Sequence, residues 1–215
     1  MIYTHIPYTP KEHGTNLGYA YNKFMEMLPS DDDWGCFLDH DAMFTTNNWY
    51  NQLNDIIIKY KDVGAFGCRT NRLKKTYQLV GNIDPYNHDI IYHRKIGNFL
   101  QSNYYDDVQH ITKKLRPKGF SGVFILIKKS VWKKINGFKT TGFLGVDDDL
   151  RHRLNIYDIP LYIMNGVYVY HWYRADNPYL HARKHIKKFW NKYFHENSQE
   201  FDLNKIFLPK QSREF

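Results

Sequence analysis

Two carboxylates, Asp39 and Asp41, directly follow the apolar segment Trp34–Leu38. A buried strand that ends in this way presents the following side chains at the carboxyl edge of a sheet, where open α/β folds bind ligands. Hard oxygen ligands suit Mg²⁺ or Mn²⁺, which proteins hold through one or two carboxylates. The run Asp31-Asp32-Asp33 has no apolar segment before it, and we interpret it as a solvated turn.

A second acidic cluster, Asp147-Asp148-Asp149, follows the loop Thr140–Gly145 and is predicted to begin a helix. One or two acids at a helix start stabilise the helix through its dipole, by about 0.3–1 kcal/mol each. A third like charge opposes that benefit. Ligand binding or catalysis is therefore the interpretation that we weigh against a purely structural role.

The hydrophobic pattern predicts the elements that position these residues, because apolar residues run continuously in short segments and recur at helical spacing in longer ones. The predicted strands are 2–8, 34–38, 63–68, 119–127, 161–164 and 167–170, and the predicted helices are 15–28, 49–60, 129–135 and 147–154. This alternation of strands and helices predicts an α/β fold with a partly parallel sheet.

Two segments depart from the alternation. Residues 71–118 are polar and weakly periodic, with one helix expected near 89–104, and we interpret them as a variable insertion over one end of the sheet. Residues 178–215 are predicted to form a basic helical tail, with the helix at 179–194 and a ragged end after it. Its basic face is either solvated or a peripheral contact with an anionic membrane surface.

The composition indicates a single folded domain over residues 1–215. The net charge of the protein is +8, which favours anionic partners. No nucleic-acid reader motif is present, so we do not expect the protein to bind nucleic acid. An apolar run near ~18 residues and a signal peptide are both missing, which predicts a cytoplasmic protein that is at most associated with a membrane surface. We expect Cys36 and Cys68 to be reduced core thiols.

Several segments together resemble the glycosyltransferases of the GT-A fold, both the family-2 group and the β1,4-galactosyltransferases. In those proteins an Asp-x-Asp metal motif is followed by a Gly-Gly-Val-type strand, a basic helix, Asn-Gly-Phe or Gly-Gly-Phe, and an acidic helix start. The resemblance covers roughly residues 34–68 and 119–171. It rests on Asp39-His40-Asp41, Gly122-Val123, Lys128-Lys129, Asn136-Gly137-Phe138, Asp147-Asp148-Asp149-Leu150 and Arg153.

The resemblance implies a GT-A-type, Rossmann-like sandwich with a mixed central sheet, and a metal-dependent inverting glycosyltransferase. Asp39, Asp41 and His171 would bind Mn²⁺ or Mg²⁺, with Asp41 the preferred direct ligand and Asp39 also meeting the donor. Asp147 would act as the general base and Asp148 would contact the acceptor. Asp149 and Arg153 would organise the helix, whereas His40 would be a bystander.

The donor implied by the resemblance is a nucleotide-diphosphate sugar, with UDP preferred, and the acceptor is a carbohydrate or a lipid-linked molecule. We assign donor binding to Pro7, Tyr8, Asn16, Asp39 and Arg174. The chain departs from the family in two ways. Its first strand passes almost directly to Asn16, which indicates an N-terminally reduced version, and Val146 stands where the family usually has Glu.

Two other functions remain open from the sequence. A sugar nucleotidyltransferase shares the α/β architecture and a carboxylate-bound metal, but it needs a Gly-rich, basic loop after the first strand, which residues 7–14 supply poorly. A non-catalytic protein that binds sugars or polyanions would bind without turnover and would tolerate the loss of Asp147.

Overall fold

The computed structural model describes residues 1–8, 14, 16–73, 76–111, 120–140, 142, 144–172 and 201–209. Within these residues the protein is mixed α/β, with seven strands and five α-helices. The strands are β1 (Ile2–His5), β2 (Trp34–Leu38), β3 (Ala42–Phe44), β4 (Ala65–Thr70), β5 (Val108–His110), β6 (Phe124–Lys128) and β7 (Leu161–His171). The helices are α1 (Leu17–Met27), α2 (Trp49–Lys59), α3 (Ile90–Tyr104), α4 (Lys129–Lys134) and α5 (Val146–Ile156).

All seven strands form one mixed sheet in the order β1-β2-β6-β4-β7-β3, and β5 also pairs with β7. Strand β1 is parallel to β2 and β4 is parallel to β7, whereas β6 runs antiparallel to both β2 and β4. Strands β1, β2, β4 and β7 therefore share one direction. Their carboxyl ends meet at one edge of the sheet, which is the edge where α/β proteins bind ligands.

Helices cover both faces of the sheet. On one face, Leu53 of α2 and Ile96 of α3 pack with alternate strand residues such as Leu126. On the other face, Tyr21 of α1 and Leu150 of α5 pack with the intervening strand residues. In β2 and β6 this alternation follows from the two-residue period of a strand, and it explains why both strands are apolar at nearly every position.

Most sequence-based boundaries agree with these elements to within three residues, but the strand predicted at 119–127 begins only at Phe124. The sheet also differs from the prediction in two ways. The strands predicted at 161–164 and 167–170 are one strand, β7, whose register with β4 shifts between Cys68 and Arg69. Strands β3 and β5 were not predicted, because each has only three residues and no clear period. Both pair with the outer edge of β7.

The segment 71–118 is more regular than its weak periodicity indicates. It supplies β5 and α3, the longest helix among the described residues, and α3 begins at the cap residue Asp89. Residues Ile96 and Leu100 of this helix are completely buried in the core. Much of the described part of the segment therefore belongs to the sandwich, whereas the loop between Asp84 and Asp89 is irregular.

Only residues 201–209 of the predicted tail are described, and they belong to the part that was expected to be a ragged end. Leu203–Lys205 forms a single 3₁₀ turn, and Phe207 makes an isolated antiparallel bridge with Gly81. The ring of Phe201 packs on that of Tyr92 with their centroids 4.4 Å apart. The segment is thus packed on the core and is not a ragged end. The helix predicted at 179–194 lies outside the described residues.

Two further expectations can be compared with the structure. Cys36 and Cys68 are both free and buried, which confirms that they are core thiols. Among the described residues, no helix has the length and apolar character needed to cross a membrane.

Candidate metal and catalytic site

Asp39, Asp41 and His171 come together at the carboxyl edge of the sheet. One ligand atom from each lies within 4.8 Å of the others. His171 Nε2 is 3.3 Å from Asp41 Oδ1 and 3.9 Å from Asp39 Oδ2. Among the described residues this is the one group of three or more His, Cys, Asp and Glu side chains with the geometry to hold a metal ion.

The sheet topology explains this convergence. The turn after β2 contains Asp39 and Asp41, and β3 begins directly after it. Ala42, the first residue of β3, pairs with His171, the last residue of β7. The Trp172 N–H also donates to the Asp41 carbonyl at 2.8 Å. Strand pairing therefore places Asp41 beside a histidine that is 130 positions away in the chain.

The imidazole of His171 has one orientation that suits a metal. Its Nδ1 lies 3.0 Å from the carbonyl oxygen of Arg72, and since a carbonyl can only accept, Nδ1 carries the proton. Nε2 is then the nitrogen that faces the two carboxylates: when protonated it donates to Asp41, and when deprotonated its lone pair can coordinate a metal. A metal-binding histidine commonly has such a hydrogen bond on its other nitrogen, because the bond fixes both the tautomer and the ring orientation.

The two carboxylates differ in their electrostatics. Burial raises the pKa of Asp39 to about 6, and the charges of Asp41 and Asp147 add to that rise, while His171 and His40 oppose it. Burial also acts to raise the pKa of Asp41, but the hydrogen bond and charge of His171 outweigh it, so the net pKa of Asp41 is lowered. The exposed His40 contributes through its charge alone. A cation bound here would relieve the repulsion among the acids.

The donor set fits a divalent metal ion. Carboxylate oxygens suit Mg²⁺ and Mn²⁺, and an imidazole nitrogen favours Mn²⁺ over the harder Mg²⁺. The three side chains are partly to fully buried, with His171 the most buried of them at 4% exposure. Asp39, Asp41 and His171 can therefore hold a metal ion while other coordination positions remain for a ligand.

Asp147 is linked to the metal-binding group through one short loop. Its Oδ2 accepts a hydrogen bond from Gly122 N–H at 3.1 Å, and the next residue, Val123, accepts one from Asp39 N–H at 3.1 Å. Gln78 holds the same loop, because its side chain accepts from Ser121 N–H at 2.8 Å. Residues 121–123 thus connect the predicted base and the predicted metal site.

Two residues around this acidic cluster, Tyr21 and Arg151, were not predicted from the sequence. Tyr21, which is 1% exposed, packs on Phe37 beneath the site, and burial and then the charges of Asp39 and Asp147 raise its pKa. Arg151 is nearly buried, and burial lowers its pKa although Tyr77 and Asp148 oppose the shift. The helical spacing of Arg151 from Asp147 and Asp148 was the available signal, since residues three and four apart share a helix face.

Other acids have structural roles. Arg153 Nε donates to Asp149 Oδ2 at 2.7 Å, and Arg153 Nη1 donates to the Ile135 carbonyl at 3.2 Å, which agrees with the expected role in organising the helix. In the earlier acidic run, Asp33 accepts from Ser30 N–H at 2.9 Å and is buried. The prediction of a wholly solvated turn at 31–33 is therefore wrong for Asp33.

The predicted donor-binding residues are only partly gathered at the site. Pro7 and the exposed Tyr8 follow β1 at the sheet edge that also carries Asp39. The Asn16 side chain caps α1 by accepting from Tyr19 N–H at 2.9 Å, and its amide donates to the Thr140 carbonyl. Asn16 thus has a structural role in joining α1 to the 136–140 loop. Arg174 lies outside the described residues.

An aromatic group borders the site on the α3 side. The His88 ring lies 4.4 Å from the Trp172 ring, and His88 Nδ1 is 2.7 Å from the Tyr170 hydroxyl. Trp172 is 41% exposed, and Tyr86, on the same loop as His88, is 37% exposed. The loop between Asp84 and Asp89 therefore presents aromatic surface next to the strand end that carries His171.

No protein-family model matches this chain, and no curated protein matches it either.

Proposed function

We propose that this protein is a metal-dependent, inverting glycosyltransferase with a GT-A-type fold. It would transfer a sugar from a nucleotide-diphosphate donor, preferably a UDP-sugar, to an acceptor hydroxyl. The observation that carries the proposal is the convergence of Asp39, Asp41 and His171, with the Asp147 carboxylate anchored on the adjacent Gly122. The mixed sheet, with β6 antiparallel among parallel strands, is compatible with this fold.

The arrangement suits the charge changes of glycosyl transfer. The bond from the anomeric carbon to the diphosphate oxygen breaks, and the electron pair leaves with the nucleotide diphosphate. A divalent metal ion, when bound, would stabilise that negative charge. Asp39, Asp41 and His171 would hold Mn²⁺ or Mg²⁺ for this purpose.

Asp147 is the group available to accept a proton. An acceptor hydroxyl has a high pKa, so a carboxylate within hydrogen-bond reach assists its attack, typically by about 10²–10⁴-fold. The hydroxyl oxygen would bond to the anomeric carbon while its proton passes to Asp147. The hydrogen bond from Gly122 N–H occupies one lone pair of Oδ2 and fixes the direction of the others.

The acceptor would approach from the side of Asp148 and the 84–89 loop. Asp148 is exposed on the first turn of α5, and Trp172 and Tyr86 present aromatic faces near the metal-binding group. Aromatic rings stack on the apolar faces of sugars while their edges remain available to polar groups. A carbohydrate or a lipid-linked sugar fits this surface.

The test is hydrolysis of a panel of nucleotide sugars by the purified protein, with Mn²⁺ and with EDTA. We expect slow, Mn²⁺-dependent release of a nucleoside diphosphate from one donor, and faster release when an acceptor is present. Asp41→Ala should abolish both rates, whereas Asp32→Ala, which removes a carboxylate paired with Lys128 away from the site, should not.

Two other outcomes would replace the proposal. Release of inorganic pyrophosphate from a nucleoside triphosphate and a sugar phosphate would indicate a nucleotidyltransferase. Binding of a nucleotide sugar with no turnover in any donor and acceptor combination would indicate a non-catalytic binding protein.

A further inference from the structure

The residues just after β4 contact the metal-binding histidine in a way that the proposed function does not use. Pairing between β4 and β7 ends at Thr70 and Val169. Two residues further along β7, His171 has no β4 backbone residue registered beside it. The side chain of Asn71 lies there.

Asn71 binds both backbone polar groups of His171. His171 N–H donates to Asn71 Oδ1 at 2.8 Å, and Asn71 Nδ2 donates to the His171 carbonyl at 3.2 Å. A carboxamide carries one acceptor and one donor group side by side, as a peptide unit does, so it can extend the ladder by one residue. Asn71 is completely buried, where an unmade hydrogen bond costs about 1–3 kcal/mol.

The neighbouring residue orients the ring of the same histidine. The Arg72 carbonyl accepts from His171 Nδ1, so consecutive residues after β4 hold the backbone and the imidazole of His171. On its other side, His171 pairs with Ala42 of β3. Asn71 Nδ2 also donates to the Pro85 carbonyl at 3.3 Å, which joins this contact to the 84–89 loop.

We infer that Asn71 is a positioning residue for metal binding, which sets the affinity of the site for a divalent cation by fixing His171 relative to Asp39 and Asp41. The inference rests on the metal-binding part of the proposed function and does not depend on sugar transfer. Hydrogen bonds that orient a metal ligand typically change metal affinity by about 10–100-fold when they are removed.

The test is titration of the full-length protein with Mn²⁺ alone. Binding is measured by calorimetry and by the electron paramagnetic resonance signal of free Mn²⁺. Asn71→Ala should raise the dissociation constant of Mn²⁺ by about 10–100-fold. The matched control is Asn165→Ala. It removes a different buried amide, which lies on β7 and binds Arg69 and Asp107 away from the metal group. It should lower the unfolding temperature and leave the Mn²⁺ dissociation constant within about twofold.

A double-mutant cycle separates positioning from general destabilisation. If Asn71 acts through His171, adding Asn71→Ala to His171→Ala should not weaken Mn²⁺ binding further. Asn71→Ser provides a second variant if Asn71→Ala does not fold, because its hydroxyl is too short to bridge both backbone groups and should also weaken binding. Circular dichroism would verify the fold of each variant.

The outcomes distinguish this inference from the function. Unchanged Mn²⁺ affinity in folded Asn71→Ala, equal losses in both backgrounds of the cycle, or a wild-type protein that binds no Mn²⁺ would each overturn it. A wild-type protein that binds Mn²⁺ in an Asn71-dependent manner but transfers no sugar would overturn the proposed function and leave the inference standing.

Discussion

Gly122 and Asp147 are joined by a hydrogen bond of 3.1 Å from the glycine N–H to Oδ2 of the carboxylate. A Cβ atom on residue 122 would lie 3.2 Å from Asp147 Cβ, so the close approach favours glycine at this position. Oδ1 of the same carboxylate accepts from Asp148 N–H at 2.9 Å. The side chain is thus held in one orientation at the start of α5.

Asp147→Asn should lower the transfer rate without weakening the binding of the donor. The amide retains the shape of the carboxylate but cannot accept the acceptor's proton. We expect kcat to fall by about 10²–10⁴-fold while the donor dissociation constant stays nearly unchanged. Steady-state kinetics and donor calorimetry measure the two quantities.

Asp148→Asn and Asp149→Asn are the matched controls for that experiment. Asp148→Asn should raise the KM of the acceptor. Asp149→Asn, which breaks the pair with Arg153, should mainly reduce stability, by about 0.3–0.5 kcal/mol. Near wild-type transfer by Asp147→Asn together with an inactive Asp148→Asn would move the base to Asp148.

Asp41→Ala should abolish metal-dependent binding of UDP. The substitution removes the carboxylate nearest to His171 Nε2, and with it the preferred metal ligand. Calorimetric titration with UDP should show binding in Mn²⁺ that is lost in EDTA and lost in the variant, while Asp32→Ala behaves as wild type. UDP binding that is insensitive to both treatments would contradict the metal site.

The pKa of Asp39 predicts a pH dependence with opposite signs for stability and for metal binding. Because the folded-state value of about 6 lies above the ordinary 3.8, the stability contribution of Asp39 is complete below 3.8 in the metal-free protein. That contribution is lost as the pH rises through about 6. A metal requires the ionised form, so protonation of Asp39 lowers Mn²⁺ affinity by about tenfold per pH unit below that pKa.

Calorimetry with Mn²⁺ at a series of pH values, and with Asp39→Asn for comparison, measures this dependence. The variant should bind more weakly at high pH and lose the part of the slope that Asp39 supplies, leaving the part due to the other ligands. An identical slope in the wild type and in Asp39→Asn would show that Asp39 does not titrate in this range.

The 84–89 loop and Trp172 should determine acceptor binding. Deleting the whole of 71–118 would remove core residues of α3, so single substitutions are the better probe. His88→Ala and Trp172→Ala should each raise the acceptor KM by about tenfold, equivalent to about 1.4 kcal/mol, and spare donor hydrolysis. Tyr50→Ala, at an exposed aromatic residue of α2, is the control. An unchanged acceptor KM in both variants would place acceptor recognition elsewhere.

Gly18→Ala should destabilise the protein where α1 meets the loop after α4. A Cβ atom at this position would lie 1.7 Å from the carbonyl oxygen of Lys139, which belongs to the backbone and cannot move aside easily. We expect a loss of about 1–3 kcal/mol in the free energy of unfolding, measured with urea. Glu26→Ala, on the exposed face of the same helix, should change it by less than about 0.5 kcal/mol. An equal loss of unfolding free energy in both variants would contradict the close packing of Gly18 on Lys139.

The local pattern of residues was sufficient to predict most helices and strands. The apolar run before Asp39 predicted β2, and the spacing of Leu17, Ala20 and Phe24 predicted α1. These signals are strong because strand and helix periods depend on residues only a few positions apart. The positions of Asp39 and Asp41 at a strand end, and of Asp147 at a helix start, could therefore be predicted from the sequence.

Tertiary structure alone decided which of these residues meet. The pairing of Ala42 with His171, the Asn71 contacts to His171, and the anchoring of Asp147 on Gly122 join residues between 25 and 129 positions apart. Strand order and register create these contacts, and a short strand such as β3 has too few residues to show a period of its own. The pKa of Arg151 likewise reflects its burial and the charge of Tyr77, which comes from a distant 3₁₀ turn. Burial is a property of the assembled layers and is not determined within one helix.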